Sequence, residues 1–315
     1  MSFSLSCFGG LEASERDFRI PGEYEQVGSS AFGLLGVGVT DADGVTAIGV
    51  NPGLLALSEE YSVAASYSWA DLGRDFYQLG VVDAVTSKYS AAFSYTGFQE
   101  KPDALEALRE RDSLAAKRAS VAIAYPLKQL AIGGSLSYVE GVEANTTTQD
   151  VYKGLSLGVG IVGYLLPNIR FGLSAQNLNN TAIDQVAPRS YRAGISWAVV
   201  PEWKLSLDYK DRQRITSIEG EIEALAGLDL SESDRRGLSD SEKMLYLGSQ
   251  IQFFDLLHMQ VAAGQSVDEE RLRQSGAFGL GIKQQKYAFF YTIAKRNQGY
   301  ADLNSALTLH VFMKI

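Results

Sequence analysis

Bulky and small side chains alternate along most of the chain after residue 60. In Tyr61–Trp69 the odd positions hold Tyr, Val, Ala, Tyr and Trp, whereas the even positions hold only Ser and Ala. The same two-residue period recurs in 89–96, 130–138, 155–161 and 193–199. Successive side chains of a β-strand point to opposite faces of the sheet, so this period predicts strands.

The less bulky face of these strands indicates what surrounds the sheet. A soluble β-sandwich also alternates, but its solvent face is rich in charged residues, and here that face holds mostly Gly, Ala and Ser. A bulky face in lipid and a small-residue face in a lumen fit this pattern better. We therefore predict a transmembrane β-barrel, with a soluble β protein as the alternative. Aromatic residues near strand ends are typical of membrane interfaces, and here they are Tyr67, Trp69, Tyr125, Tyr138, Tyr164 and Trp203.

The fold class is predicted to be all-β, an antiparallel barrel of about fourteen strands over 61–315, and an even count is typical of single-chain bacterial barrels. The even-numbered connectors are short, and the odd-numbered ones are mostly longer, especially 100–116 and 215–241. Short periplasmic turns and long extracellular loops are the outer-membrane pattern, so we expect both termini in the periplasm. The predicted strands are 61–70, 74–85, 89–99, 117–127, 129–143, 151–166, 169–179, 189–200, 202–214, 242–255, 256–268, 272–285, 287–297 and 302–315.

The two longest connectors have a helical period instead. Asp103–Lys117 brings Ala104, Leu105 and Leu108 near one face. In 215–241 the apolar residues recur at intervals of three or four, at Ile215, Ile218, Ile222 and Leu225. This spacing predicts short amphipathic helices at the mouth of the barrel. Two interpretations stay open: the helices contact a hydrophobic ligand or a partner protein, or they only cover the rim.

Residues 1–60 precede the first predicted strand and form a separate N-terminal region. Between residues 28 and 58 the chain is rich in small and apolar residues and poor in charge, so we expect it to fold into the lumen as a plug. The first ten residues, MSFSLSCFGG, lack the basic start and the length of a secretory signal, and we interpret them as a signal remnant. Cys7 is then a candidate for lipidation, although Ser4 stands where a lipobox has Leu; the alternative is an unmodified leftover residue.

Several motifs of the N-terminal region occur in the order known from one family. They are Gly-Ser-Ser-Ala-Phe (28–32), Gly-Val-Gly-Val (36–39), Asp41, Asp43, Ala47 and Asn-Pro-Gly-Leu-Leu (51–55). Together they resemble the N-terminal hatch of the FadL-like long-chain fatty-acid transporters and of the related PorV-like barrels. The hatch of that family carries Asn-Pro-Ala, so Gly53 is a departure from it.

Later stretches add to this resemblance. GLSAQNLNN (172–180) and PRSYRAGISW (188–197) are similar to strand patterns of PorV-like members, and the family also has fourteen strands. The final stretch, ALTLHVFMKI, resembles the last strand of outer-membrane barrels. It ends in Ile315, where those strands usually end in Phe or Trp.

The resemblance implies a hatch whose displacement opens a passage. The implied function is uptake of hydrophobic, fatty-acid-like small molecules through the plugged lumen of a barrel in the bacterial outer membrane. The alternative is a PorV-like scaffold that binds partner proteins in secretion or surface attachment, with 100–116 and 215–241 as docking surfaces. The candidate hatch or gate residues are Asn51, Pro52, Gly53, Leu54 and Leu55, and the competing interpretation is a tight turn that only packs the plug.

Composition and motifs narrow the chemistry. The net charge of −9 argues against a nucleic-acid partner. The single Cys and the two His have no metal-site spacing, and no G-x-S-x-G motif occurs, so we expect no enzyme activity, no metal and no cofactor. No apolar run is long enough for a membrane-spanning helix. The expected partners are outer-membrane lipid and a hydrophobic ligand, or detergent, in the lumen.

Polar residues on the small-residue face are expected to lie in the lumen and contact the plug. Asp41-Ala-Asp43-Gly44 resembles the start of a calcium loop but lacks the Glu at the twelfth position, so it predicts a turn. The expected lumen contacts are Arg170, Arg192, Asp208, Gln250, Gln252, His258, Gln260 and His310.

Overall fold

The computed structural model of this chain is a closed antiparallel barrel of fourteen strands. They are β1 Tyr61–Ala70, β2 Arg74–Asp83, β3 Ser90–Glu100, β4 Ser113–Leu127, β5 Leu130–Ala144, β6 Gln149–Leu166, β7 Ile169–Gln176, β8 Ser190–Val200, β9 Trp203–Gln213, β10 Ser241–Phe253, β11 Leu257–Ser266, β12 Gln274–Lys283, β13 Tyr287–Gln298 and β14 Tyr300–Met313. Each strand pairs with its neighbours in sequence, and β14 closes the barrel against β1.

The structure describes the barrel strands, their short connectors and part of the N-terminal region. The described residues are 35, 37–58, 60–70, 74–100, 113–144, 149–179, 189–213, 241–254, 256–267, 274–284, 286–298 and 300–313. Cys7, the 28–32 motif, most of the two long connectors and Ile315 lie outside them. The predictions of a lipidated Cys7, of helices in 215–241 and of docking surfaces on these connectors therefore stay predictions.

The predicted all-β barrel and its strand number are confirmed, and the strand limits agree within four residues. The predicted helix Asp103–Lys117 is wrong from residue 113 onward. There the chain belongs to β4, which pairs with β3 on one side and with β5 on the other, so its backbone groups are satisfied by the sheet. Side chains also alternate there, because Ala116 and Arg118 are buried whereas Lys117 is exposed.

Strand β7 ends earlier than its pattern predicts. The predicted strand 169–179 stops at Gln176 because Asn177 has a positive φ of 60°. That left-handed conformation interrupts a strand, and Asn tolerates it better than most residues. The Asn177 side chain accepts hydrogen bonds from Arg118 and Ser156, which fixes the turn to β4 and β6.

The connectors sort by length between the two ends of the barrel. Three even-numbered connectors, 128–129, 167–168 and 201–202, have two residues each, whereas 214–240 joins β9 to β10 at the opposite end. Two odd-numbered connectors, 71–73 and 299, are short and depart from this sorting. Tyr61 of β1 pairs with Met313 of β14, so the barrel begins and ends at its short-connector end.

The two faces of the wall differ in chemistry. Bulky apolar residues such as Phe93, Ile123 and Leu157 are between 44% and 55% exposed on the outer face. The inner face carries small or polar side chains that are buried, among them Ser94, Ser120 and Ser156. Such a wall suits hydrocarbon outside and a lumen inside. Among the described residues, no helix is long and apolar enough to span a membrane.

Residues 37–57, the inner segment, fold as a series of short helical turns. They include a 3-10 turn at Gly44–Thr46, one α-helical turn at Ala47–Val50 and a 3-10 helix at Pro52–Leu57. Proline fits the first position of a helix because the amide hydrogen that it lacks would have no partner there. The apolar residues of the inner segment form one buried cluster with inward-facing residues of the wall; the cluster includes Val45, Ile48, Val50, Leu54, Leu55, Ala64, Val82, Ala92, Ala122, Ala124, Ala131 and Val162.

Candidate functional site: the seat of the inner segment

Asn51 is the centre of hydrogen bonding in the inner segment, and its side chain is fully buried. Its Nδ2 group donates to the Val39 carbonyl at 2.7 Å and to the Ile161 carbonyl of β6 at 3.0 Å. Its Oδ1 atom accepts from the Gly53 amide at 3.1 Å. A side-chain amide offers two donors and an acceptor, and Asn51 uses all of them to join the turn, the preceding loop and the wall.

The neighbouring predicted hatch residues are also buried. Pro52, Gly53, Leu54 and Leu55 belong to the 3-10 helix, which packs against β4, β5 and β6. Leu54 and Leu55 enter the apolar cluster. The structure therefore brings Asn51–Leu55 together against one side of the inner wall.

Glycines of the wall leave room for this contact. A Cβ atom added at Gly133 would overlap the Pro52 backbone, and one added at Gly160 would overlap the Asn51 side chain. Farther round the wall, a Cβ at Gly172 would overlap the Val39 carbonyl. We call Gly133, Gly160 and Gly172 the glycine seat. The small-residue face predicted from the sequence thus carries the contact surface of the inner segment.

Asp41 extends from the inner segment to cations of the wall, and its side chain is only 1% exposed. Lys204 Nζ of β9 lies 2.9 Å from Asp41 Oδ1, and Arg170 Nη1 of β7 lies 3.4 Å from the same atom. Ser206 donates to Oδ2 at 3.3 Å. Burial alone would raise the pKa of Asp41, but Lys204 and then Arg170 outweigh it and hold the pKa below its ordinary value. Asp41 is therefore an anion at neutral pH.

Asp208 of β9 makes the reciprocal contact from the wall to the inner segment. Its Oδ2 atom accepts from the Gly38 amide at 2.7 Å and from the Val39 amide at 2.9 Å. Asp208 is 2% exposed, and Arg192 of β8 interacts with it electrostatically. Charge-assisted hydrogen bonds of this kind are stronger than neutral ones. Two carboxylates, Asp41 of the inner segment and Asp208 of the wall, thus attach residues 38–41 to β7, β8 and β9.

The other predicted lumen residues lie elsewhere. Gln250, Gln252, His258 and Gln260 are on the inward face of β10 and β11, where the His258 ring meets the edge of Phe290 with centroids 6.1 Å apart. The side chain of His310 lies outside the described residues. Within the described part of the chain, no group of three or more His, Cys, Asp or Glu could hold a metal ion.

Two residues of this site were missed by the sequence analysis. The sequence indicated a turn at Asp41 and a place for it in the hatch-like motif but no contact with the wall, and Lys204 was not among the expected contacts. A signal existed for Lys204, because a cation in the middle of a strand on a small-residue face needs a buried counter-charge. Nothing in the strand pattern indicates that this counter-charge lies 163 residues earlier in the chain.

Comparisons with known proteins agree on the fold. No protein-family model matches the chain, and no curated protein matches its sequence. The CymD monoaromatic hydrocarbon channel is similar in structure, with a TM-score of 0.71 and 13% identity over 92% of this chain and 98% of that one. The toluene transporter TbuX of Ralstonia pickettii has a TM-score of 0.67 and 12% identity, covering 92% and 99%.

A third solved structure, a FadL homologue of Pseudomonas aeruginosa, has a TM-score of 0.57 and 8% identity, with 91% of this chain and 98% of that one covered. At these identities the likeness concerns the fold. The match covers nearly the whole length of each of these solved structures. The chain therefore has the fold of the FadL-family outer-membrane hydrocarbon channels, a closed antiparallel barrel of fourteen strands.

Proposed function

We propose that this protein is an outer-membrane channel for hydrophobic small molecules, with the inner segment as a movable hatch in its lumen. The observation that carries the proposal is how the inner segment is held. It packs on the inner wall through the glycine seat, through Asn51 and through the Asp41 and Asp208 contacts. Contacts of this kind reform after a displacement, whereas an added strand would be a permanent part of the sheet.

The neighbours and the resemblance support this substrate class. CymD is a monoaromatic hydrocarbon channel and TbuX is a toluene transporter, so aromatic hydrocarbons join fatty acids as candidate substrates. In this proposal Asn51, Pro52, Gly53, Leu54 and Leu55 form the moving contact. The apolar outer face supports a place in the outer membrane, and the short connectors would face the periplasm together with both termini.

An uptake experiment tests this function. A Gram-negative strain without its own channels for hydrophobic compounds would express the wild type, Asn51→Ala or Asn168→Ala, and uptake of radiolabelled palmitate and toluene would be followed. Asn168 is the matched control because it makes the same chemical change in the exposed turn between β6 and β7. We expect faster uptake with the wild type than with an empty vector, a changed rate in Asn51→Ala, and the wild-type rate in Asn168→Ala.

Equal uptake of both compounds by the wild type and by the empty vector would contradict the proposal. The PorV-like scaffold would then be the better explanation if a partner protein copurified in stoichiometric amount. The surfaces assigned to that role, 100–116 and 215–241, lie mostly outside the described residues, so no described contact favours it at present.

A further inference from the structure

A groove crosses the outer face of the wall from β5 to β9. It has a volume of about 540 Å³, which lies within the range of small-molecule sites, about 300–1,000 Å³. Its lining includes the outward-facing Ile132, Ile161, Leu173 and Tyr191. None of the described residues of the inner segment lines it. The groove is therefore on the membrane side of the wall, behind the seat of the Asn51 turn.

Small residues on the outer face lie in the groove and directly beside it. Gly134, Ala175 and Ala193 occupy outward positions that bulky residues fill on most other parts of the wall. They lie close together in the sheet, because Ala175 pairs with Val159, which also pairs with Gly134, and Ala193 pairs with Leu173. A Cβ added at Gly134 would find its nearest atom 3.8 Å away, so this part of the wall has open space outside it.

The groove crosses five adjacent strands and has a charged residue at its β9 end. Five adjacent strands about 4.8 Å apart span about 19 Å, which suits an extended hydrocarbon chain better than a globular ligand. Along β5, β6 and β7 its lining is apolar apart from Ser174, which lies on the lumen face. At the β9 end lies Asp211, and Lys243 of β10 stands opposite Asp211 in the sheet register. The apolar groove thus ends beside two neighbouring residues of opposite charge, Asp211 and Lys243.

We propose that this groove is a binding site for one acyl chain of a membrane phospholipid whose head group carries both a phosphate and an ammonium group. Hydrocarbon surrounds this face, so an acyl chain can move from the bilayer into the groove without meeting water. Lys243 then faces the phosphate and Asp211 faces the ammonium. The proposal depends on the barrel being in a membrane and not on the passage of any solute.

Native mass spectrometry of the detergent-purified barrel tests the proposal, with dipalmitoylphosphatidylethanolamine as the probe. Ala193→Phe and Ala175→Phe fill the groove from positions that face lipid, so both variants should fold. Ala91→Phe is the matched control, because Ala91 is an exposed outward position on β3. We expect one tightly held lipid in the wild type and in Ala91→Phe. The added ring removes packing contacts between the acyl chain and the wall, and we expect binding about tenfold weaker in each groove variant.

Two further arms test the head group. Lys243→Gln should reduce binding of the phosphatidylethanolamine, and palmitic acid alone should bind less tightly than the phospholipid. Equal lipid retention in Ala193→Phe, Ala175→Phe and Ala91→Phe would overturn the proposal, since the lipid would then be part of a general annulus. Palmitic acid that binds as tightly as the phospholipid would also overturn it, because the head group would have no part in recognition. Uptake rates do not enter this experiment, so its failure is separate from a failure of the proposed channel.

Discussion

The two ends of the inner segment are held to the wall by different kinds of interaction. Residues 38–41 are attached to β7, β8 and β9 by buried carboxylates, Asp41 on the segment and Asp208 on the wall. Residues 51–57 are attached to β4, β5 and β6 by apolar packing on wall glycines. The first attachment depends on charge and can be released by titration, whereas the second depends on shape. The Asn51 Nδ2 bond to the Val39 carbonyl connects the two.

The largest effect is expected from Gly133→Ala, which disturbs the packing of residues 51–57 on the wall. Its new Cβ atom would overlap the Pro52 backbone, and overpacking of this kind costs about 3 kcal/mol. Hydrogen exchange of residues 51–57, followed by mass spectrometry in detergent, should become about a hundredfold faster. The control is Gly134→Ala, where the nearest atom is 3.8 Å away. Equal exchange in both variants would contradict the glycine seat.

Asn51→Ala should be the variant that loosens both ends. It removes two hydrogen bonds to the Val39 and Ile161 carbonyls and one from the Gly53 amide, at an expected cost of about 2 kcal/mol. We expect faster exchange at 38–41 as well as at 51–57, and no change in Asn168→Ala. Faster exchange at only one end would mean that Asn51 does not connect them.

Asp208→Asn should loosen the charged end and leave the other in place. The variant keeps a side-chain oxygen that can accept from both the Gly38 and the Val39 amides but loses the charge, at an expected cost of about 1 kcal/mol. Exchange should rise about fivefold at 38–41 and stay at the wild-type rate at 51–57. Glu202→Gln removes a carboxylate from an exposed turn and serves as the control. A rise of equal size at 51–57 would show that the two ends move as one unit.

The smallest effect is expected from acid, measured in the Asp208→Asn background so that Asp41 is the carboxylate under test. Because the folded pKa of Asp41 is lowered, its stabilisation is complete above the unfolded value of 3.8 and is lost as the pH falls through the folded value. Exchange at 38–41, corrected for intrinsic rates, should therefore stay constant from about pH 8 to pH 5 and rise only below about pH 4. A rise between pH 7 and pH 5 would contradict the ion pairs of Asp41. Adding Asp41→Asn should abolish the acid response.

The barrel could be predicted because each strand carries its own pattern in the sequence. A strand in a lipid-facing wall imposes a two-residue period on its own sequence, so the segments around Tyr67, Leu157 and Trp197 each predict a strand without reference to any other segment. The errors occur where local signals compete. At Ser113–Lys117 a helical spacing continues into residues that pair with β5 and, from Ala115 onward, also with β3. At Asn177 one backbone angle ends a strand whose side-chain pattern continues.

The candidate site was harder to predict because its partners are far apart in the chain. The Asn-Pro-Gly turn is visible in the sequence, and its capping by Asn51 follows from residue type. The partner of Asp208 is a pair of backbone amides at Gly38 and Val39, and backbone amides leave no mark on a sequence pattern. The glycines of the seat likewise look like any other small residues until the chain that covers them is placed.

The position of the inner segment in the chain also constrains how the molecule assembles. The Gly38 amide donates a hydrogen bond to the carboxylate of Asp208, which lies 170 residues later in the chain. Contacts between such distant residues form slowly because a long loop must close first. The inner segment is synthesised before every strand that surrounds it, yet its seat exists only when β4 to β9 are side by side. When β1 pairs with β14, the closing barrel must therefore enclose a segment that was synthesised before any of its strands.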